Sequence, residues 1–201
     1  MTARLIIVRH GNTFDKGDVV TRVGGRTDLP LSVSGRAQAE ALGRHFASWT
    51  FATARSGPLK RARETASAIL ATQAGPPELT TALFLREIDY GPDENRPEDE
   101  IVARIGKAAL DAWERDSVLP PGWRADPAAI TGNWQELFAK LRDQPGDHLV
   151  VTSNGIARFA LHAAEAPRAD AKLSTGAWGV IALEGEAVRV TDWNLRPPVA
   201  G

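Results

Sequence analysis

The chain has 201 residues, of which 43% are hydrophobic and 24% are charged, and its formal net charge is −1 at pH 7. These values are typical of a folded domain with a substantial core, and they argue against non-specific nucleic-acid binding. The lack of cysteine excludes disulfides, thiolate metal sites and cysteine nucleophiles. We expect no signal peptide, since the first predicted strand follows the first residues directly, and no apolar run is long enough for a membrane span. We therefore expect one cytoplasmic domain of residues 1–201.

The first structural signal is the β-branched apolar run of residues 5–8, which predicts a buried strand. Arg9, His10 and Gly11 follow it directly. Ligands of open α/β sheets bind beyond the carboxyl ends of the strands, so Arg9 and His10 stand where a site is expected. Taken alone, the same residues are equally well explained as solvated or paired side chains beside a turn.

Residues 14–32 contain several glycines without periodicity and predict a long loop. Arg22 lies in this loop, either as a solvated cation or as a contact to an anionic substrate. Beyond it, Ser34 predicts the cap of a helix over residues 36–46, and residues 50–54 predict the second strand.

The next helix is predicted to begin at Pro58, which places Arg61 in its first turn. A helix N-terminus attracts anions, and a guanidinium donates two hydrogen bonds to a phosphate, so Arg61 is a candidate phosphate ligand. The alternative is a solvated helix face that Arg61 shares with Lys60 and Arg63.

Residues 79–85 predict a third strand, and Glu87 follows it; taken alone, Glu87 is expected to be a surface carboxylate paired with Arg86. Helical patterns over 101–116 and 127–142 predict a helical cap, inserted at about residues 92–145. We expect this insertion to set substrate choice.

The C-terminal part predicts a strand over residues 149–152, a helix from about residue 156, and two strands over 178–183 and 187–190. The alternation of strands and helices predicts an α/β fold, a three-layer α/β/α sandwich with a mostly parallel central sheet. The last two strands are expected to form an antiparallel edge.

Four segments of the chain resemble the histidine phosphatase superfamily, which includes the cofactor-dependent phosphoglycerate mutases. The first is Arg9-His10-Gly11, and the second is G-x-x-D-x-P-L-S-x-x-G at residues 25–35. The third is P-L-x-R-A-x-x-T-A at residues 58–66, and the fourth is L-x-E-x-x-x-G at residues 85–91. They occur in the same order as in the family.

This resemblance implies that His10 is a nucleophile and becomes a phosphohistidine, with Glu87 as the proton donor to the leaving oxygen. Arg9 and Arg61 would bind the phosphate, since phosphoryl transfer depends on positioning and on cations that bind the phosphate oxygens. Asn12 and Arg22 are expected at the substrate rim. No metal or organic cofactor is implied.

The sequence departs from the family at Asn154, where Ser-His-Gly with a second active-site histidine is typical. We assign Asn154 to phosphate binding, since its amide donates hydrogen bonds without a charge. Charged hydrogen bonds contribute about 1.5–3 kcal/mol and neutral ones about 1 kcal/mol. The presence of Asn154 in place of a charged histidine is therefore expected to slow the reaction about ten- to a hundredfold. We expect His45, His148 and His162 to be structural.

The leading functional prediction is a phosphomonoester hydrolase that acts on a phosphorylated small molecule through His10. The first alternative is a phosphotransferase of the phosphoglycerate mutase type, against which the missing second histidine argues. The second is a catalytically weak regulator that binds a phosphorylated ligand. We predict neither a nucleic-acid nor a membrane partner, and the sequence gives no signal for the substrate or the oligomeric state.

Overall fold

The computed structural model describes residues 2–167 and 170–197. Within them, six strands form one sheet in the order β3-β2-β4-β1-β5-β6. The strands are β1 Ala3–Arg9, β2 Phe51–Ser56, β3 Leu79–Thr81, β4 Gly146–Thr152, β5 Trp178–Glu184 and β6 Ala187–Leu195. The pairs among β3, β2, β4 and β1 are parallel, whereas β5 and β6 pair antiparallel, which confirms the predicted sheet.

Six α-helices and two short 3-10 helices surround this sheet in the described residues. The α-helices are α1 Val33–Phe46, α2 Lys60–Leu70, α3 Glu98–Ile105, α4 Lys107–Asp116, α5 Pro127–Arg142 and α6 Asn154–Ala163. The 3-10 helices are Leu83–Leu85 and Gly91–Asp93. Across this part of the chain, none of the helices has both the length and the apolar character needed to cross a bilayer.

Strand β1 divides the core into two apolar layers. Because successive side chains of a strand point to opposite faces, Ile6 and Val8 pack with α1 and α2. Leu5 and Ile7 instead belong to the cluster that contains side chains of α3, α4, α5 and α6. Helices therefore cover both faces of the sheet, and the predicted three-layer α/β/α architecture is confirmed.

Helix α1 starts earlier than predicted. Ser32, rather than Ser34, is its cap, because the Ser32 hydroxyl accepts a hydrogen bond from the Gly35 N–H at 3.1 Å. The carboxylate of Asp15 also accepts from the N–H groups of Val33 and Ser34, at 3.0 and 2.8 Å. Hydrogen bonds from Ser34 lower the pKa of Asp15 to about 2. The long loop is thus fixed to the start of α1.

Helix α2 begins at Lys60, two residues after the predicted start at Pro58. The N–H of Lys60 donates to the carboxylate of Asp28 at 2.7 Å, which satisfies one of the free donors at the helix start. Arg61 lies in the first turn of α2, as predicted.

The predicted third strand over residues 79–85 is too long. Its last pair joins Thr81 to Ser56, the final residue of β2, so no partner strand continues beyond that point. The chain turns instead into the 3-10 helix Leu83–Leu85. This turn directs the following residues toward the carboxyl ends of β1 and β4.

The single helix predicted over residues 101–116 is also wrong. Gly106 has φ 79° and ψ 153°, outside the helical region, and separates α3 from α4. Helix α5 has its predicted bounds, and the other predicted elements are present with ends that differ by a few residues.

Candidate active site

The candidate site lies at the carboxyl ends of β1 and β4. These strands are parallel, with Arg9 beside Thr152, so the residues that follow them emerge together. The His10 N–H donates to the Thr152 carbonyl at 3.1 Å, and α6 begins at Asn154. This is the crevice in which open α/β sheets bind ligands.

A cavity of about 540 Å³ opens at this point. Six of the predicted site residues line it, namely Arg9, His10, Asn12, Arg22, Glu87 and Asn154. Arg61 reaches His10 without forming part of the cavity wall. A larger cavity of about 780 Å³ lies between α1 and α2, away from these groups.

The imidazole of His10 is held in one tautomer. It is 6% exposed, and its Nδ1 lies 2.8 Å from the carbonyl oxygen of Gly11, so Nδ1 carries the hydrogen and donates it. Nε2 then has a lone pair, which accepts from Arg61 Nε at 3.1 Å. Burial and the charges of Arg61 and Arg9 hold the pKa of His10 well below its usual value of 6.5. A neutral imidazole whose Nε2 carries a lone pair is suited to act as a nucleophile.

Arg61 is fully buried and contacts His10 at Nε2. Its Nη1 donates to the carbonyl of Thr27 at 2.8 Å, and its Nη2 donates to that of Gly24 at 3.1 Å. These bonds fix the guanidinium, and burial lowers its pKa. Arg61 thus lies next to His10, and its nearest contacts are His10 and the loop backbone.

Arg9 retains donors for a ligand. Its Nη1 donates to the carbonyl of Leu173 at 2.8 Å, whereas its buried Nε has no partner among the residues described. Burial lowers the pKa of Arg9, and the charge of Glu87 acts in the opposite direction. Because the positively charged side chain of Arg9 lines the cavity, this position favours an anionic ligand.

The backbone of Leu173, which binds Arg9, also orients Asn154. Its Oδ1 accepts from the N–H of Leu173 at 2.8 Å, which leaves Nδ2 as the donor group of the amide. Leu173 thus positions both Arg9 and Asn154 through its main chain. The sequence reasoning missed Leu173, since a backbone contact leaves no signal in residue type.

Glu87 is anchored at the start of α6. It is 6% exposed; its Oε1 accepts from the Ile88 N–H at 2.9 Å and its Oε2 from the Gly155 N–H at 3.2 Å. A Cβ at residue 155 would lie 2.2 Å from Glu87 Oε1, so glycine is required there for this approach. The arrangement holds a carboxyl group at the wall of the cavity that contains His10.

Asn12 belongs to a polar network at the rim. Its Nδ2 donates to Ser34 Oγ at 3.2 Å, and its Oδ1 accepts from Thr175 Oγ1 at 2.5 Å. Both side-chain ends of Asn12 are therefore engaged within the protein.

Arg22 is also engaged within the protein. Its Nη2 donates to both carboxylate oxygens of Glu98, at 2.8 and 2.7 Å. The guanidinium carbon lies 5.4 Å from the ring centre of Tyr90 and 4.9 Å from that of Trp123. Arg22 therefore packs against aromatic rings in the cavity wall, and the carboxylate of Glu98 balances its charge.

The other histidines lie away from the cavity. His148 contacts Thr53 and the carbonyl of Gln144, and His162 contacts Ser117. Throughout residues 2–167 and 170–197, no cluster of three or more histidine, aspartate or glutamate side chains has the arrangement of a metal site.

The sequence model of the histidine phosphatase superfamily (branch 1) matches residues 5–196. This match spans nearly all of the 201 residues. The protein therefore belongs to the histidine phosphatase superfamily, as the sequence motifs predicted.

Characterised relatives include a mutase and a phosphatase. The chain is 34% identical over 158 residues to 2,3-bisphosphoglycerate-dependent phosphoglycerate mutase 2 of Gloeobacter violaceus, covering 76% of this chain and 71% of the mutase. It is 36% identical over 121 residues to fructose-2,6-bisphosphatase TIGAR of Xenopus laevis, covering 59% of this chain and 42% of that protein. The match thus spans less than half of the bisphosphatase.

Solved structures share the fold over almost the whole chain. A mycobacterial glucosyl-3-phosphoglycerate phosphatase superposes with a TM-score of 0.79 at 24% identity, covering 96% of this chain and 99% of that one. Mycobacterial hydrolase 1 superposes with a TM-score of 0.83 at 23% identity, covering 98% and 100%. These similarities establish the fold.

Proposed function

We propose that the protein is a phosphomonoester hydrolase that acts on a phosphorylated small molecule through a phosphohistidine at His10. The observation that carries this proposal is the state of the imidazole. Its Nδ1 hydrogen is donated to Gly11 and its Nε2 lone pair accepts from a buried arginine. Such a neutral, oriented imidazole beside two guanidinium groups matches the needs of phosphoryl transfer.

In the first step, His10 Nε2 attacks the phosphorus atom and the ester P–O bond breaks. Glu87 gives its proton to the leaving oxygen, so the alcohol departs neutral. Arg9, whose side chain lines the cavity, donates to a phosphoryl oxygen.

Arg61 changes its acceptor during this step. In the free protein its Nε donates to the His10 lone pair, at 3.1 Å. The new N–P bond uses that lone pair, and the N–H of Arg61 then donates to a phosphoryl oxygen instead. The bonds to Thr27 and Gly24 keep the guanidinium in place throughout. Arg61 thereby gains a stronger, charge-assisted hydrogen bond as the phosphoryl group arrives.

In the second step, water attacks the phosphorus atom of the phosphohistidine. Glu87, now a carboxylate, takes a proton from the water as the P–N bond breaks. Inorganic phosphate leaves and His10 Nε2 regains its lone pair. Asn154 Nδ2 donates a neutral hydrogen bond to the phosphoryl oxygens in both steps.

A mutase activity is the second candidate, and the similarity to the Gloeobacter mutase favours it. A mutase must shield its phosphohistidine from water and return the phosphoryl group to a second substrate. Activity that requires a bisphosphate primer supports a mutase, whereas phosphate release without a primer supports the hydrolase.

Turnover of p-nitrophenyl phosphate tests the proposal. We expect phosphate release by the wild type and a loss of about a thousandfold or more in His10→Ala. His162→Asn is the control, since His162 lies outside the cavity and contacts Ser117. Equal activity of wild type and His10→Ala would show that the phosphohistidine proposal is wrong. If the wild type binds phosphate but shows no turnover, a ligand-binding role replaces the hydrolase.

A further inference from the structure

The buried side chain of Thr65 lies where α2 meets the residues that follow β1. Thr65 and Arg61 are four positions apart on α2, so their side chains share one face of the helix. Both side chains are fully buried. The proposed phosphoryl transfer does not use the Thr65 hydroxyl, and Thr65 does not line the cavity. A role of Thr65 in the site therefore has to act through other residues.

The Thr65 hydroxyl makes two hydrogen bonds to the backbone of the site. It donates to the carbonyl oxygen of Arg61 at 2.8 Å, and it accepts from the N–H of Gly11 at 3.2 Å. A hydroxyl has one hydrogen and two lone pairs, so it can make both bonds at once. Thr65 therefore joins the main chain of Arg61 on α2 to the main chain of Gly11 after β1.

These two bonds complete a closed cycle of four hydrogen bonds that includes the nucleophile. His10 Nδ1 donates to the Gly11 carbonyl at 2.8 Å, and Arg61 Nε donates to His10 Nε2 at 3.1 Å. The donors follow one another in the order His10, Gly11, Thr65 and Arg61, and Arg61 donates back to His10. Both nitrogens of the imidazole are thus held by residues that Thr65 connects.

The backbone of Gly11 has little freedom in this cycle. A Cβ at residue 11 would lie 2.4 Å from the carbonyl oxygen of Gly35, so the main chain of Gly11 packs closely against the start of α1. Its buried N–H is bonded to Thr65 of α2. Without the Thr65 hydroxyl this N–H would lose its acceptor, which is costly in a buried position, so the backbone would shift to regain one. That shift would displace the Gly11 carbonyl, which orients His10.

We propose that Thr65 is a positioning residue, which holds His10 Nε2 toward the phosphate by joining the backbone of Gly11 to that of Arg61. The inference rests on the proposed function, since it takes His10 as the nucleophile. When Nε2 attacks phosphorus, the bond from Arg61 to His10 is exchanged for a bond to the phosphoryl group. The other three bonds of the cycle persist and keep the imidazole oriented.

The expected signature is a loss of kcat at nearly constant KM. Arg9, which lines the cavity and binds the phosphate in the proposed mechanism, is held by the carbonyl of Leu173 outside the cycle. Thr65→Val removes the hydroxyl and keeps a branched side chain. We expect kcat for p-nitrophenyl phosphate to fall about tenfold or more, with KM changed by less than about twofold. Thr65→Ser retains the hydroxyl and should keep kcat within about threefold of the wild type.

The protonation of the imidazole nitrogens gives a second readout, which needs no turnover. The chain has four histidines, and comparison with His10→Ala assigns the His10 signals in nitrogen NMR spectra of isotope-labelled histidine. In the wild type we expect the hydrogen on Nδ1 and a lone pair on Nε2. In Thr65→Val the form with the hydrogen on Nε2 should become populated, because the Gly11 carbonyl is no longer fixed.

Thr72→Val is the matched control. The Thr72 hydroxyl donates to the carbonyl of Gly43 at 2.8 Å, so it likewise joins two segments of the chain, and Thr72 lies outside the cavity. Thr72→Val should leave both kcat and the His10 signals unchanged. If Thr65→Val does not fold, Thr65→Ala provides the same test, since alanine is the better helix former.

Unchanged kcat together with unchanged His10 signals in Thr65→Val would overturn the inference. An equal loss of kcat in Thr65→Val and Thr72→Val would also overturn it, since it would show a general effect on the fold. Turnover by the wild type is a separate measurement. No phosphate release by the wild type, with His10 signals that depend on Thr65, would refute the hydrolase proposal and leave the positioning of His10 by Thr65 supported.

Discussion

Asp93→Ala is expected to destabilise the protein by about 2–4 kcal/mol. The Asp93 side chain is 2% exposed; it accepts from Trp123 Nε1 at 2.7 Å and from Arg104 Nε at 2.5 Å. Burial raises the pKa of Asp93, but the hydrogen bonds from Arg104 and Trp123 outweigh it and the pKa is lowered. The carboxylate is therefore a charged centre of this network.

The magnitude follows from what Asp93→Ala leaves behind. The Trp123 N–H, on a side chain that is 5% exposed, loses its acceptor at a cost of about 1–3 kcal/mol. Arg104 is 35% exposed and regains water, so its loss adds only about 1 kcal/mol. The effect extends toward the cavity, since Trp123 packs against Arg22.

Equilibrium unfolding in urea, followed by tryptophan fluorescence, measures the difference between Asp93→Ala and the wild type. The control is Asp116→Ala, which removes a partner of Arg115 in an exposed pair, with 46% and 63% of the side chains exposed. We expect that variant to lie within about 0.5 kcal/mol of the wild type. A loss below about 1 kcal/mol for Asp93→Ala would refute the reasoning from an unpaired buried donor.

Four further predictions concern the site itself. Because burial and neighbouring charges lower the pKa of His10, the acid limb of kcat/KM for p-nitrophenyl phosphate should lie well below pH 6.5, and a limb centred at or above that value would contradict the account. The imidazole of His10 binds a proton more readily in the unfolded chain than in the folded protein, so the free energy of unfolding should fall as the pH drops below 6.5. Urea unfolding at neutral and at acid pH measures this fall, which should be smaller in His10→Ala than in the wild type. Gly155→Ala places a Cβ 2.2 Å from Glu87 Oε1 and should lower kcat about tenfold or more, with unchanged kcat as the contrary result. Gly11→Ala places a Cβ 2.4 Å from the backbone oxygen of Gly35. Urea unfolding should therefore show a free energy of unfolding about 1–3 kcal/mol below that of the wild type.

Local patterns made the centre of the fold and site predictable. The β-branched run before Arg9 predicts β1, and its end fixes the place of His10 at the edge of the sheet. The start of a helix near Pro58 predicts Arg61 in a first turn, although the structure directs that guanidinium to His10 and the loop backbone. The end of β1 and the start of α2 depend on residues that are close together in the sequence, so they can be predicted from the sequence alone.

Contacts between distant segments were not predictable in this way. Leu173 positions Arg9 and Asn154 through backbone atoms, which any residue type possesses. The bond between Asp93 and Trp123 joins residues 30 apart, with no periodic pattern to connect them. The end of β3 depends on where its partner strand stops, a property of the folded sheet rather than of residues 79–85.

The most direct test of the central claim is to trap the phosphohistidine. Wild type, His10→Ala and Asn154→His are incubated with a labelled phosphodonor, quenched in alkali, and examined for acid-labile label on the protein. We expect label on the wild type and none on His10→Ala, with Asn154→His labelled about ten- to a hundredfold faster because a charged donor replaces a neutral one. Label that persists on His10→Ala would contradict His10 as the nucleophile, and label on Asn154→His alone would show that Asn154 prevents phosphoryl transfer.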